Sequence, residues 1–319
     1  MVSNKWLAAV GAGVLALGLA ACGSDDDNGG GAGGDELSGT ILIDGSSTVL
    51  PLSEAAAELF MQDHSGVQVT VGSAGTGGGF ERFCNGETDI SDASRPIEED
   101  EVAACAASGI EFEQVTVAND ALTVLVHPEN PVDCLSVEQL NQIWAPDATL
   151  GSWTEIDGLA ADFGEPLELY GPGTSSGTFD YFTEAINGEE GAQRTDYNDI
   201  GENDNTGIQG VEGTQGAMFY VGYSYYLENQ DRVKALQIDG GSGCVAPSVE
   251  TVLDGSYAPL GRGLFIYPKA EALQRPEVLA FVEFYVENAA EIAEARGFVG
   301  LTPEQAAEAQ AQIDGLVGR

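Results

Sequence analysis

The chain has 319 residues, too many for one small core and enough for two domains of roughly 120–150 residues each. It carries 11 Lys plus Arg against 52 Asp plus Glu, a formal charge of −41. A surface of that sign excludes charge-driven binding of nucleic acid or anionic lipid. The scarcity of cations is more informative than the excess of anions. Between Cys22 and Gln193 the only basic residues are Arg82 and Arg95, so an anion site in that half has few counter-charges to draw on.

The first element is a targeting segment. Lys5 precedes an apolar run from Trp6 to Ala21, so residues 1–21 read as a secretory signal too short to span a membrane in the mature protein. Its ending, Leu19-Ala20-Ala21-Cys22, resembles a bacterial lipobox, in which the cysteine sulfur receives diacylglycerol after cleavage. Residues 22–37, rich in Gly, Asp and Asn, read as a flexible tether. Export places the other four cysteines, Cys84, Cys105, Cys134 and Cys244, in an oxidising compartment. Three pairings are open. Cys84 and Cys105 are close in sequence and flank a strand, so Cys84–Cys105 with Cys134–Cys244 is favoured. No Cys/His spacing calls for zinc or another metal, and nothing in the sequence calls for a cofactor.

After the tether, Gly39 to Asp44 reads as a buried strand running into Gly45-Ser46-Ser47-Thr48 and a helix from Pro51 to His64. Val67 to Val71 is a second strand, ending in the glycine-rich run from Gly72 to Gly79, with a helix from Gly78 to Asn85. Thr88 to Ile90 is a short strand leading into Ser91-Asp92-Ala93-Ser94-Arg95-Pro96, and a helix follows over Glu98–Ser108. Strand, Gly/Ser/Thr loop and helix start thus recur three times, the pattern of an α/β sheet whose ligand lies beyond the carboxyl ends of its strands. Glu113 to Val126 is a long strand pattern broken at Asn119 and Asp120, read as a crossover between domains. Leu135 to Trp144 is a helix capped by Ser136.

A fourth copy of the pattern comes at Leu167–Ile186. A short strand meets Gly171-Pro172-Gly173, and a helix begins near Ser176-Gly177-Thr178. Free N–H groups and the macrodipole at such a helix start favour an anion. Short helices follow at Asn205–Glu212 and Val249–Leu253, with a strand at Ala217–Val221 between them. The aromatic run Tyr220, Tyr223, Tyr225 and Tyr226 reads as packing. Leu264 to Tyr267 returns to the first domain, and helices close the chain over Pro276–Asn288 and Thr302–Leu316.

Three catalytic or cofactor motifs are tested and set aside. Gly173 to Gly177 fits the G-x-S-x-G nucleophile elbow, with Ser175 as the serine. That arrangement needs a histidine later in the chain, and the only two, His64 and His127, come before it. The glycine-rich run at 72–79 has no lysine for a Walker A loop and Phe80 where the dinucleotide fingerprint needs its third glycine. A cradle of backbone donors with the Ser73 and Thr76 hydroxyls is what survives.

With GSSTVLPL, GSAGTGGGFERF, TDISDASRPI and GPGTSSGTFDYF on the page, the chain from Gly39 to its last helices resembles the phosphate-binding lipoproteins of phosphate-specific (Pst-type) ABC importers. The resemblance implies a two-lobed type II periplasmic-binding-protein fold, two α/β domains joined by two crossing strands, with lobe I over 38–118 and 263–319 and lobe II over 119–262. It implies a monomeric, non-enzymatic binder, lipid-anchored through Cys22 to the outer face of the cell membrane, that closes over one inorganic phosphate and delivers it to the permease subunits. The phosphate contacts it implies are Ser47 and Thr48, Thr76 and Gly77, Ser94 and Arg95, and Ser176, Gly177 and Thr178. Ser46, Ser73 and Ser175 lie one residue out of register. Two departures stand out. The arginine that many members carry before the SGT loop is replaced by Pro172-Gly173-Thr174, so the charge must come from Arg95. The aspartate that accepts the phosphate proton aligns with Ser94, which leaves Asp92 as the nearest carboxylate for that role. The alternatives are a different tetrahedral oxyanion, sulfate or molybdate, in the same fold, and a serine hydrolase using Ser175. Long-range repulsion from the −41 charge is screened within about 8 Å at physiological salt, so local donors decide binding.

Overall fold

A computed structural model describes residues 37–318 except Ala160, Ser175 and Glu202. The signal, the Cys22 lipobox, the tether up to Glu36, and Ser175 therefore lie outside the described residues.

Lobe I opens with β1 (Gly39–Gly45), α1 (Leu50–Asp63), β2 (Val67–Val71), α2 (Thr76–Cys84), β3 (Ile90–Ala93) and α3 (Glu99–Ala107), the three expected strand–loop–helix units. The third strand sits later than the sequence pattern places it. Its parallel register puts Ile90, Ser91 and Asp92 against Ile43, Asp44 and Gly45, so pairing continues through residues that read as loop. β4 (Val115–Val126) then crosses between the lobes without the break expected at Asn119 and Asp120. Each polar residue there is matched. Asn119 exchanges amide bonds with Gln305 at 3.2 and 3.3 Å, and the Asp120 carboxylate faces Arg262.

Lobe II holds β5 (Cys134–Ser136), α4 (Val137–Trp144), β6 (Glu168–Gly171), α5 (Gly177–Asn187), β7 (Asn198–Asp199), α6 (Asp204–Gly213), β8 (Ala217–Gly222), α7 (Tyr223–Asn229), β9 (Lys234–Ala235), β10 (Gln237–Asp239), β11 (Cys244–Val245) and α8 (Val249–Leu253). β12 (Gly261–Pro268) crosses back, and α9 (Pro276–Ala295) and α10 (Pro303–Val317) pack onto lobe I. Sequence periodicity did not signal α7, where the tyrosine run sits, or the satellite sheet β11-β10-β5, whose strands are two or three residues long. Such strands are too short to carry an alternation pattern. The main sheet runs β2-β1-β3-β12-β4-β8-β6-β7, with β9 also paired to β4. β12 lies antiparallel to both β3 and β4, so the two crossing strands are hydrogen-bonded to each other between the lobes.

Helices cover both faces of each half. In lobe I, Leu52, Phe60, Phe281 and Tyr285 fill the face under α1 and α9, while Phe80, Phe83 and Tyr267 fill the face under α2 and α3. In lobe II, Trp144, Phe182 and Tyr220 form one core and Ile208, Val211 and Phe219 the other. Each such side chain contributes about 1.5–3 kcal/mol by leaving water. Tyr220 is fully buried and stacks on Phe182 at 3.8 Å, so the packing reading of the aromatic run holds at that residue. Both favoured disulfides form: Cys84–Cys105 joins α2 to α3, and Cys134–Cys244 joins β5 to β11. Among the described residues no helix is long and apolar enough to cross a membrane.

Candidate functional site

The parallel run β2-β1-β3 places three loops at one sheet edge, and backbone bonds lock them together. Ser46 N–H donates to the Asp92 carbonyl at 2.9 Å, and Gly75 N–H donates to the Gly45 carbonyl at 2.9 Å. Asp44, 4% exposed at the end of β1, accepts from Gly45 N–H and from Ala74 N–H, each at 2.8 Å, and pairs with Arg82. One buried carboxylate thereby sets the relative height of the first two loops. Gly45 is required by its backbone: its φ is +147°, outside what a side chain accepts readily. The Thr76 hydroxyl reaches the Ser94 hydroxyl at 3.0 Å and accepts from Ser94 N–H at 3.3 Å, which joins the second and third loops.

The fourth loop arrives from lobe II. Ser176 is the N-cap of α5, and Gly177 and Thr178 form its first turn, whose N–H groups have no helical acceptor. A Cβ on Gly177 would lie 3.3 Å from Thr48 Oγ1 and 3.4 Å from Thr48 Cα, so the two lobes touch at this point. Ser47 Oγ donates across the same gap to Asp180 Oδ2 at 3.1 Å. The expected site residues Ser47, Thr48, Thr76, Gly77, Ser94, Arg95, Ser176, Gly177 and Thr178 are thus brought to one cleft from three loops of lobe I and one of lobe II. A cavity of about 360 Å³ opens beside them, lined by Ser94, Arg95, Tyr181, Glu184, Arg262 and Phe265. Larger surface grooves of about 550 and 530 Å³ run along α1 and contain none of these residues.

Charge in the cleft comes from two arginines. Arg95 makes a bidentate pair with Glu101, Nη1 to Oε2 at 2.8 Å and Nη2 to Oε1 at 2.9 Å, and its Nε lies 3.3 Å from Glu98. The bond to Glu101 raises the Arg95 pKa further. Gly77 lies beside this pair, since a Cβ there would be 3.8 Å from Arg95 Nη2. The second arginine, Arg262, stands on β12 with its guanidinium 3.3 Å from the Tyr181 ring centroid. Its Nη2 donates to Thr48 Oγ1 at 3.1 Å, and its Nη1 faces Glu184 at 3.4 Å. Burial raises the pKa of Asp180 and of Asp120, with Arg262 opposing the shift in both.

Sequence reasoning missed Arg262 because it counted cations only in the first half of the chain. The available signal was topological: a strand returning through the hinge passes the cleft, and this one begins Gly261-Arg262-Gly263. Asp92 is a correction. Strand alternation turns it to the same face of β3 as Ile90, where its Oδ1 accepts from Ser53 of α1 at 2.9 Å and its side chain is fully buried. Burial, opposed by that bond and reinforced by Asp44, pushes its pKa up to about 8. Its carboxyl is engaged inside lobe I, and it is not among the residues lining the cleft cavity. The two histidines lie apart from the cleft loops. His64 packs on Phe60, and His127 Nδ1 accepts from Glu129 N–H. Among the described residues no group of three or more His, Cys, Asp and Glu side chains is placed to hold a metal ion.

Comparison with known proteins gives a consistent picture. Residues 30–289 match the PBP superfamily domain. The chain is 45% identical to Protein SphX of Synechococcus elongatus over 82% of its own length and 77% of that protein's. It is 35% identical to the phosphate-binding protein PstS of Staphylococcus saprophyticus, covering 99% of this chain and 96% of the relative. Among solved structures, a possible phosphate binding protein from Planctomyces limnophilus is 42% identical, with a TM-score of 0.84 over 88% of this chain and 99% of that one.

Proposed function

This chain belongs to the PBP superfamily, and on that premise we propose that it captures inorganic phosphate outside the cytoplasm and hands it to the permease subunits of an ABC importer. The observation that carries the reading is the convergence of four Gly/Ser/Thr loops, three from lobe I and one from lobe II, with Thr48 against Gly177 across the cleft. Such a site offers many neutral donors in a partly dehydrated space, where hydrogen bonds to a charged acceptor are worth about 1.5–3 kcal/mol each. The hydroxyls of Ser47, Thr48, Thr76, Ser94, Ser176 and Thr178 and the N–H groups of Gly77 and Gly177 supply the contacts, with Arg95 at the rim of the same cavity. The role is binding, with no chemical step. The lobes, 38–118 with 263–319 and 119–262, open and close about β4 and β12, and the protein acts as a monomer.

Titration with inorganic phosphate, followed by calorimetry, tests this directly. Saturable 1:1 binding at micromolar phosphate or below is expected, with sulfate and molybdate failing to compete. Preference for either of those anions would reassign the ligand within the same fold. Anchoring through an acylated Cys22 is part of the proposal. Cys22→Ser should move the protein from the membrane fraction to the soluble exported fraction, and a protein that stays with the membrane would refute the anchor.

A further inference from the structure

Two guanidiniums line the cleft cavity, and their donors are committed very differently. Arg95 gives both terminal nitrogens to Glu101 in a fork-to-fork pair, Nη1 again to the Pro96 carbonyl at 3.2 Å, and Nε to Glu98. That is the strong form of an ion pair, and it consumes the face that an incoming anion would need. Arg262 is held more loosely. Its Nη2 bonds to the neutral hydroxyl of Thr48, Nη1 lies 3.4 Å from Glu184, and Nε, 3.7 Å from Asp120, is buried without a hydrogen bond. A separation of 3.7 Å is too long for a hydrogen bond. Stacking on Tyr181 and a side chain only 13% exposed fix the group in place and strip it of water. A desolvated, pre-oriented guanidinium with donors on a hydroxyl and a loosely held carboxylate is poised to exchange them for an oxyanion.

We infer that Arg262, on the returning hinge strand, makes the charge-assisted contact with the bound anion, and that the anion displaces Glu184 from it. The assignment rests on the reading of the cleft as an oxyanion site. Arg262 also reports closure. It touches Thr48 of lobe I, Tyr181 and Glu184 of lobe II, and Asp120 of the other crossing strand. Thr48 in turn abuts Gly177, so Nη2 stands where the first and fourth loops meet. Opening the lobes separates Thr48 from α5, and the guanidinium then loses the geometry that would let one anion bond to it and to both loops.

Phosphate titration calorimetry on the wild type, R262Q, R95Q, E184Q and the E184Q/R262Q double variant tests the assignment. R262Q should weaken phosphate binding by about 100-fold or more, and R95Q by less than about 10-fold, as expected for losing a direct and an indirect charged contact. E184Q should tighten binding severalfold by removing the competitor, and that gain should vanish when R262Q is also present. R262Q leaves Asp120 buried without its cation, so its thermal unfolding is measured alongside. If it does not fold, E184Q alone decides, since Glu184 is 39% exposed at its side chain: unchanged or weaker binding in E184Q overturns the assignment. A loss in R95Q equal to or larger than that in R262Q also overturns it while leaving the phosphate reading intact. A wild type that binds neither phosphate, sulfate nor molybdate overturns the oxyanion reading and this assignment with it.

Discussion

Gly177 offers a perturbation in which stability and binding should move in opposite directions. Gly177 opens α5 at a helical position and has no positive φ, so Gly177→Ala keeps the backbone N–H and removes the conformational entropy penalty of glycine. That change favours the folded chain by up to about 1 kcal/mol. The new methyl, however, meets Thr48 Oγ1 at 3.3 Å and Thr48 Cα at 3.4 Å. The hydroxyl can turn aside, but the Cα belongs to a loop fixed by the Ser46–Asp92 and Gly75–Gly45 bonds and cannot. Overpacking of this kind costs about 1–3 kcal/mol, and it falls only on the closed form, because the two loops separate when the lobes open. Phosphate affinity should therefore drop roughly 5- to 150-fold, while urea or thermal unfolding of the ligand-free protein shows equal or higher stability. Calorimetric titration beside an unfolding curve measures both. Wild-type affinity in G177A would show that closure does not depend on the Thr48–Gly177 contact, and a parallel loss of stability would show that the glycine serves the fold instead.

Two further outcomes follow from buried groups. Asp92, with a pKa near 8 in the folded chain and an ordinary carboxylate value near 4 when unfolded, favours the fold fully below about pH 4. That contribution is lost as the pH rises to about 8, at no more than about 1.4 kcal/mol per pH unit. Asp92→Asn, neutral at every pH, should therefore gain on the wild type in thermal stability between pH 5 and pH 9, and a pH-independent difference would show that Asp92 ionises freely. The two disulfides should also differ in worth. Cys134–Cys244 closes a separation of 110 residues against 21 for Cys84–Cys105, which in the chain-entropy view makes its removal costlier by about 1.5 kcal/mol. Paired Cys→Ser variants compared in denaturant would contradict that view if the shorter loop proved the more valuable.

By itself the sequence determined the local chemistry and the class of fold. Glycine at 45, 75 and 177 with hydroxyls beside it, an alternation of strand and helix, caps such as Ser136 and Thr302, and the even cysteine count are all properties of short segments. They are legible because a turn, a cap or a strand is decided within a few residues. The pairing of Cys84 with Cys105 belongs here too, since the partners sit only 21 residues apart. What the sequence left open is what depends on distance through the chain. The Asn119 and Asp120 pair reads as a strand break, and the fold absorbs it with Gln305 and Arg262, more than 140 residues away. Asp92 reads as a cleft carboxylate until the β1–β3 register turns it into the core beneath Ser53. Arg95 reads as the lone counter-charge, but Glu101 one helical turn on takes its fork, and Arg262 reaches the cleft from the returning strand. Which face a strand residue presents, and which charge a distant carboxylate has already claimed, are set only when the sheet closes its register and the chain comes back on itself.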